Sequence, residues 1–285
     1  MLNKNYGLEI VPIVIGENWI AGTELSIGAM KGPREILQLD GQWLHLLPTG
    51  ERQYNKTVDL QGCVSWGFEN AVEIVENRLY GSSKNYSDRF LAVASETKPT
   101  GNDPHRVGET FRNKGAPLEP EYPLTDDLDT WEKVYAPIPS SVFTLAEKFV
   151  AEYDFNHEYV PASPASLKEQ LKFSPLPAAV YAWQQDENGL YYMPPGVHQN
   201  HYVVIVGYVE GKYWLIYDSY DVNTPGDFIK KVRWDMPFIM VKSISLKKKP
   251  VELPLTFWQW LPKFLTWLWG GKIGPMPPLP KEILP

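Results

Sequence analysis

Cys63 is the residue of this sequence whose position best suits covalent chemistry. It is the only cysteine in the chain, and apolar residues follow it at helical spacing up to a stop signal at Gly81. A thiol in the first turn of a helix meets unpaired backbone N–H groups and the positive end of the helix dipole, which both favour the thiolate. The alternative is that Cys63 is a small core residue, because free cysteine is among the most buried residue types. The rest of the sequence has to decide between them.

His201 and Asp218 are the two further groups that a thiol nucleophile would need. Residues 200–209 are rich in β-branched and aromatic side chains and predict a buried strand. A short turn at 210–212 and a second strand over 213–220 complete a hairpin. His201 begins the first strand and Asp218 ends the second, so both should lie at the same end. An imidazole there can take up and return the thiol proton, and a carboxylate can hold its ring.

Taken together, these segments resemble the papain-like cysteine peptidases, in a bacterial or phage-like branch. Cys-Val-Ser-Trp at 63–66 is similar to the family's nucleophile with a nearby aromatic residue, and 201–208 is similar to the strand that begins with its histidine. Asp-Ser-Tyr at 218–220 stands where the family has Asn-Ser-Trp, and 115–123 resembles a stretch in which a glycine precedes an acidic residue and Tyr-Pro. The Cys, His, Asp order and a Cys-to-His separation of about 140 residues suit the pattern. The resemblance covers about residues 40–245.

The resemblance implies a role for each of these residues. Cys63 would be the nucleophile, His201 the general base and acid, and Asp218 the orienting residue in place of asparagine. A carboxylate can orient an imidazole and favours its protonated form. Tyr220 would shield the His201–Asp218 contact, where the family has tryptophan. The implied reaction cuts peptide bonds in protein or peptide substrates through a thioester, with no metal and no organic cofactor.

The glutamine that helps to form the oxyanion hole departs from the family's spacing. The family's glutamine stands six residues before the nucleophile, but that position here is Thr57. Gln61 is too close to Cys63 for its amide to reach across the thiol. Gln53 is the predicted donor, with an Asp-Gly-Gln-Trp approach at 40–43, and this match requires about four extra loop residues. An ordinary surface glutamine is the alternative for Gln53, while the backbone N–H of the nucleophile can supply one donor in either case.

The predicted fold class is α+β, as a papain-like two-lobe fold. A helical lobe would carry the nucleophile helix, and an antiparallel β lobe would carry the histidine, with the cleft between them. Helical patterns come first in the chain and strands later. The helical patterns lie at 88–96, 107–113, 143–153 and 166–171, and the strands at 178–184, in the hairpin and at 238–246.

The sequence divides into three regions. Residues 1–45 form an N-terminal extension with strand-like runs at 8–15 and 19–22. This extension is too short to resemble the long inhibitory propeptide of many relatives, so no zymogen is indicated. Residues 46–248 form the predicted papain-like catalytic domain, and residues 249–285 form a tail rich in tryptophan and proline.

Composition excludes several classes of protein. The net charge is −7 and no helix carries a run of lysine and arginine, which argues against nucleic-acid binding. One cysteine allows no internal disulfide. The N-terminus lacks the apolar stretch of a signal peptide. We therefore expect a cytoplasmic or virion-associated protein.

The C-terminal tail holds four of the eleven tryptophans in the chain. Its apolar run falls short of the roughly 20 residues that span a bilayer, and Pro262 interrupts it. The tail could pack on the chain's own body, bind a protein partner, or lie in a membrane interface. We expect one of the first two, with a membrane the least favoured.

Two functions from different classes remain open at this point. The order of Cys63, His201 and Asp218 favours a cysteine peptidase. The irregular glutamine spacing and the aromatic tail favour a catalytically idle structural or interaction protein on the same fold, such as a phage virion component.

Overall fold

A computed structural model describes residues 4–14, 34–221, 225–250 and 257–269 of the chain. The chain divides into two compact units, Met1–Lys248 and Lys249–Pro285. The elements of the first unit are α1 (Cys63–Tyr80), α2 (Asp88–Ala94), α3 (Pro104–Lys114), α4 (Trp131–Val134), α5 (Ser140–Glu152), β1 (Tyr153–Tyr159), α6 (Pro164–Gln170), β2 (Leu176–Val180), β3 (His201–Val209), β4 (Tyr213–Tyr217), β5 (Ile229–Arg233) and β6 (Lys242–Lys248). This is the predicted α+β class.

Helix α1 runs through the centre of the first unit. Every residue from Cys63 to Glu76 is buried, which is typical of a helix surrounded by protein on all sides. The helix ends where the sequence predicts, at Gly81, whose φ of 76° suits glycine and whose N–H bonds to the carbonyl of Asn77. Burial on all sides fixes the position of its first residue, Cys63.

The strands form two antiparallel sheets, and the larger one positions His201 and Asp218. One has the strand order β2-β3-β4-β5, and the second pairs β1 with β6. The predicted hairpin is β3–β4, closed by a bond from the Lys212 N–H to the carbonyl of Val209. Helix α1 packs closely on β3, since a Cβ on Gly67 would come within 3.0 Å of the Tyr202 ring. This close packing brings the first turn of α1 next to the first residues of β3.

The structure also differs from the sequence patterns. Strands β1 and β5 were not predicted, and β1 pairs with a strand about 90 residues later in the chain, Tyr153 lying opposite Lys248. Of the two N-terminal runs, 19–22 lies outside the described residues. The other forms no extended strand within 4–14, where Leu8 makes a single isolated bridge to Asn102.

Helix α1 carries buried carboxyl groups that the sequence analysis did not single out. Glu73 accepts a hydrogen bond from the backbone N–H of Tyr86, and Glu76 accepts one from the hydroxyl of Tyr86. Burial raises the pKa of Glu69, Glu73 and Asp88 well above the ordinary range. The neighbouring charge of Asp88 raises the pKa of Glu69 further. The folded protein therefore binds protons at Glu69, Glu73 and Asp88 more tightly than the unfolded chain does.

We expect the protein to lose stability as the pH rises from about 4.5 towards neutral and above. A buried carboxyl group with a raised pKa binds a proton when folded and releases it when unfolded, so each such group makes the fold less stable as the pH rises through that window. Glu69→Gln should therefore raise the thermal unfolding midpoint at pH 8 and have little effect at pH 5. The exposed Glu132→Gln is the control. An identical pH dependence in Glu69→Gln and the unmodified protein would contradict this.

The second unit contains one described helix, α7 (Phe257–Trp269). Pro262 lies inside it, and the carbonyl of Pro262 accepts a bond from the hydroxyl of Thr266 at 2.8 Å. Among the described helices, none has the length and apolar character needed to cross a membrane. The three uses considered for the tail remain predictions.

Candidate active site

The predicted contact between His201 and Asp218 is present at the end of the β3–β4 hairpin. Nε2 of His201 lies 2.5 Å from Oδ1 of Asp218, and both side chains are fully buried. The backbone N–H of Ser219 donates to the same carboxylate oxygen at 2.7 Å. Nδ1 of His201 is buried and has no hydrogen-bond partner among the described residues. The carboxylate therefore holds one ring nitrogen and leaves the other for a second group.

Cys63 lies beside this histidine. It is the first residue of α1, and its sulfur accepts a hydrogen bond from the backbone N–H of Tyr202, the residue after His201. Burial raises the pKa of the thiol well above its ordinary value, and this outweighs the Tyr202 N–H, which lowers it. Asp59 and Asp218 raise it further. In this closed site, removal from water therefore opposes the thiolate more strongly than the helix terminus favours it.

Three aromatic rings surround the imidazole of His201. The ring centroids of Tyr6, Trp183 and Tyr220 lie 5.7, 5.6 and 5.4 Å from it. Tyr220 thus occupies the place expected from the sequence. These rings keep water from the contact between His201 and Asp218, which strengthens that contact.

Lys230 also pairs with this carboxylate, and the sequence analysis missed it. Its Nζ lies 2.6 Å from Oδ2 of Asp218, and its side chain is 3% exposed. Burial by itself would raise the pKa of Asp218, but the charges of His201 and Lys230 outweigh burial and hold that pKa below the ordinary value. Alternation along Ile-Lys-Lys-Val-Arg at 229–233 could have indicated an inward-facing lysine had the strand been recognised.

Gln53 is buried in the site and is not the surface residue of the alternative. The extra residues between it and Cys63 form a closed turn, in which Tyr54 bridges to Asp59. The side-chain oxygen of Asn55 accepts hydrogen bonds from the backbone N–H groups of Thr57 and Val58, which stabilises the turn. The N–H of Leu60 then bonds to the carbonyl of Gln53 at 2.9 Å. The turn takes up the added length and returns the chain to Gln53.

The amide of Gln53 is held on both sides. Its oxygen accepts from the hydroxyl of Ser219 at 2.6 Å. Its nitrogen lies 3.0 Å from Oδ1 of Asp59 and 2.9 Å from the hydroxyl of Tyr220. The same nitrogen donates to the backbone carbonyl of Tyr6 at 3.1 Å. The amide is thus already hydrogen-bonded to the carbonyl of a peptide segment in the site.

That segment is the N-terminal part of the chain. The N–H of Tyr6 bonds to the carbonyl of Asn200, the residue before His201, at 2.9 Å. Asn102 donates its N–H to the carbonyl of Gly7 and accepts from the N–H of Glu9. The sequence indicated no zymogen because residues 1–45 are short, but Tyr6 of this short segment contacts both His201 and Gln53 of the site.

Gly7 is the position at which this covering segment is most restricted. Its φ is +108°, and a Cβ added there would lie 2.3 Å from the backbone oxygen of Gln61. Gly7→Ala should therefore displace the segment and increase the alkylation rate of Cys63 by iodoacetamide by roughly 10-fold or more, since access controls thiol reactivity. Gly189→Ala is the matched control, because Gly189 also has a positive φ but has no atom within 4 Å of an added Cβ. Equal alkylation rates in both variants would show that the segment does not limit access.

Among the described residues, one group has the composition of a metal site. The ligand atoms of His105, Glu109 and His157 all lie within 4.8 Å of one another. However, Nζ of Lys242 is 3.1 Å from Nδ1 of His157, and Arg112 lies 2.5 Å from the carboxylate of Glu109. Both of these groups already have polar partners in Lys242 and Arg112, so we assign the cluster to a buried polar network and not to a metal.

Several solved structures with a similar fold are described as cysteine proteases. The chain superimposes on xylellain, a cysteine protease from Xylella fastidiosa, with a TM-score of 0.59 and 13% identity, covering 86% of this chain and 97% of that one. Digestive procathepsin L2 from Tenebrio molitor superimposes with a TM-score of 0.55 and 16% identity, covering 86% of this chain and 78% of that one. The cysteine protease and lectin-like domains of Cwp84 from Clostridium difficile superimpose with a TM-score of 0.58 and 12% identity, covering 73% of this chain and 51% of that one.

The chain has a papain-like fold. At these identities the similarity concerns the fold alone, and the chain spans about half the length of the Cwp84 structure. No protein-family model matches the sequence. No curated protein matches it either. The papain-like fold agrees with the sequence resemblance and with the Cys63, His201 and Asp218 arrangement described above.

Proposed function

We propose that this protein is a cysteine peptidase that hydrolyses peptide bonds through a thioester on Cys63. The observation that carries the proposal is the orientation of His201. Nε2 is held at 2.5 Å by Asp218, while Nδ1 is buried without a partner at the end of β3 where the thiol lies. This is the arrangement a base needs to take the thiol proton.

In the proposed reaction, Nδ1 of His201 removes the proton of Cys63 as the sulfur attacks the carbonyl carbon of the substrate. The developing oxyanion accepts hydrogen bonds from the backbone N–H of Cys63 and the amide of Gln53. The imidazolium returns the proton to the amine as the C–N bond breaks, leaving a thioester. Water, deprotonated by His201, attacks the thioester, and the thiol regains its proton as the acid product leaves.

The raised pKa of Cys63 fits this scheme when the covering segment is in place. With Tyr6 and Gly7 over the site, the buried thiol is neutral and the enzyme is at rest. When a substrate replaces the segment, its carbonyl takes the place of the Tyr6 carbonyl at the Gln53 amide. The same contact that holds the segment would then stabilise the transition state.

The test is covalent labelling with an epoxysuccinyl peptide, a thiol-directed probe, combined with cleavage of fluorescently labelled unfolded casein. Both are measured on the Gly7→Ala variant as well as on the unmodified chain. The proposal expects one probe per protein, on Cys63 by mass spectrometry, and casein cleavage blocked by the probe. Labelling without any cleavage of casein or a peptide library would favour the idle protein, for which full burial of Cys63 is the supporting observation.

Gln53→Ala should reduce kcat by about 10²- to 10³-fold, the range for losing one oxyanion donor. Gln61→Ala should reduce it much less, because its side chain lies too close in sequence to the nucleophile to reach over it. The comparison is best made in the Gly7→Ala background, since Gln53 also holds the covering segment. A larger effect at Gln61 would contradict the assignment of Gln53.

Virion association and cytoplasmic location remain predictions from the sequence. Binding of a protein partner through residues 249–285 likewise remains a proposal, supported by the four tryptophans of that segment.

A further inference from the structure

Asp218 is a fully buried carboxylate at the position where papain-like peptidases have a neutral asparagine, and it needs a counter-charge. Burying a carboxylate without a partner costs far more than burying an amide. Its Oδ1 contacts His201 and the N–H of Ser219, and its Oδ2 faces Nζ of Lys230 at 2.6 Å. The change from amide to carboxylate is thus accompanied by a buried lysine on the oxygen that His201 does not use.

The position of Lys230 follows from β5. In this strand Lys230 and Val232 face inward, and Lys231 between them is exposed. Lys230 pairs with Ile216 across the sheet, two residues before Asp218. Its ammonium also donates to the carbonyl of Tyr220 and lies 5.3 Å from the ring of Trp183. The lysine head group is therefore fixed by a carboxylate, a carbonyl and an aromatic ring.

We infer that Lys230 is a positioning residue of the active site, which neutralises Asp218 so that the carboxylate orients His201 without holding a proton on it. A carboxylate paired only with His201 would stabilise the imidazolium strongly. His201 would then keep the proton that it must give to the leaving amine. With Lys230 on Oδ2, the Asp218–Lys230 pair has no net charge, and Asp218 acts on the imidazole much as an uncharged acceptor would.

Other ionisable groups also face this cluster. Cys63 approaches it from α1, Asp59 from the turn before α1, Tyr6 from the N-terminal segment and Tyr220 from the chain after β4. Asp59 bonds to Gln53 and Tyr220. Among the described residues, Lys230 is the cation that contacts Oδ2 directly. Its removal should therefore alter the balance of charge at His201 more than a change at an exposed lysine nearby.

The inference rests on the proposed function, but the two main measurements, NMR titration and thermal unfolding, do not require the protein to cleave a substrate. The ring proton signals of His201 are followed by NMR against pH in Lys230→Met and in Lys231→Met, the exposed control on the same strand. We expect the His201 midpoint to move up by about 1 pH unit or more in Lys230→Met, and to stay in place in Lys231→Met. A shift below about 0.3 unit in Lys230→Met would overturn the inference, whether or not the protein is a peptidase.

A double variant keeps the test decisive if Lys230→Met fails to fold. Asp218→Asn leaves Lys230 buried without its counter-ion, and Lys230→Met leaves Asp218 without its own. Combining the two produces a neutral pair, so the thermal unfolding midpoint of the double variant should exceed that of either single variant. If Lys230→Met does not fold, a folded double variant supports the inference. A double variant that is no more stable than the single variants, or that also fails to fold, overturns it.

Discussion

Cys63→Ala should abolish both peptide hydrolysis and epoxide labelling while the protein stays folded. The substitution removes the only thiol in the chain and changes the volume of a buried side chain only slightly. No other cysteine can take over the reaction, and the backbone N–H that serves the oxyanion is kept. The measurements are casein cleavage, intact mass after exposure to the probe, and the thermal unfolding midpoint.

The control for this assay is the double variant that carries both Gly7→Ala and Cys63→Ala. Because Gly7→Ala should displace the covering segment, a lack of hydrolysis in the double variant cannot be due to a covered site. Hydrolysis at the unmodified rate in this double variant would remove Cys63 from the mechanism. It would point to a contaminating peptidase or to another site.

His201→Ala should lower kcat/KM by roughly 10⁴- to 10⁶-fold, the range between losing the orienting residue and losing the base of a catalytic triad. The imidazole is the only described group placed to receive the thiol proton through an otherwise unpartnered buried nitrogen. The pH dependence of Cys63 alkylation should change with it, because a nearby imidazolium stabilises the thiolate. Both quantities are measured in the Gly7→Ala background, where the thiol is accessible.

His198→Ala is the matched control for this prediction. His198 is exposed in the loop before β3, three residues from His201. It should leave both the rate and the alkylation profile close to those of the unmodified chain. Equal losses in the two variants would mean that the loop, and not the His201 ring, limits the reaction.

Local patterns were sufficient to predict the elements that carry the reacting residues. Helix α1 and the β3–β4 hairpin could be recognised because their hydrophobic periodicity and turn residues lie within about 20 consecutive positions. Once the hairpin is recognised, its antiparallel geometry places His201 and Asp218 at one end. The longer spacing between Gln53 and Cys63 could also be recognised from the sequence, since it required only extra loop residues before Cys63.

Contacts between distant segments could not be predicted in this way. The β1–β6 pair joins residues about 90 positions apart, and Lys230 reaches Asp218 from a strand with a mixed, highly charged sequence. Tyr6 crosses the site from the other end of the chain, and its contacts with Gln53 and Asn200 leave no periodic signal.

The sequence by itself determined which residues are the candidates for the proposed chemistry: a single thiol at a helix start, and an imidazole and a carboxylate at one end of a hairpin. The tertiary structure alone decided their surroundings. Burial raises the pKa of the Cys63 thiol, Lys230 pairs with Asp218, and Tyr6 contacts Gln53 and Asn200. The physical reason is that periodicity reports local structure, whereas desolvation and ion pairing depend on which distant segments pack together.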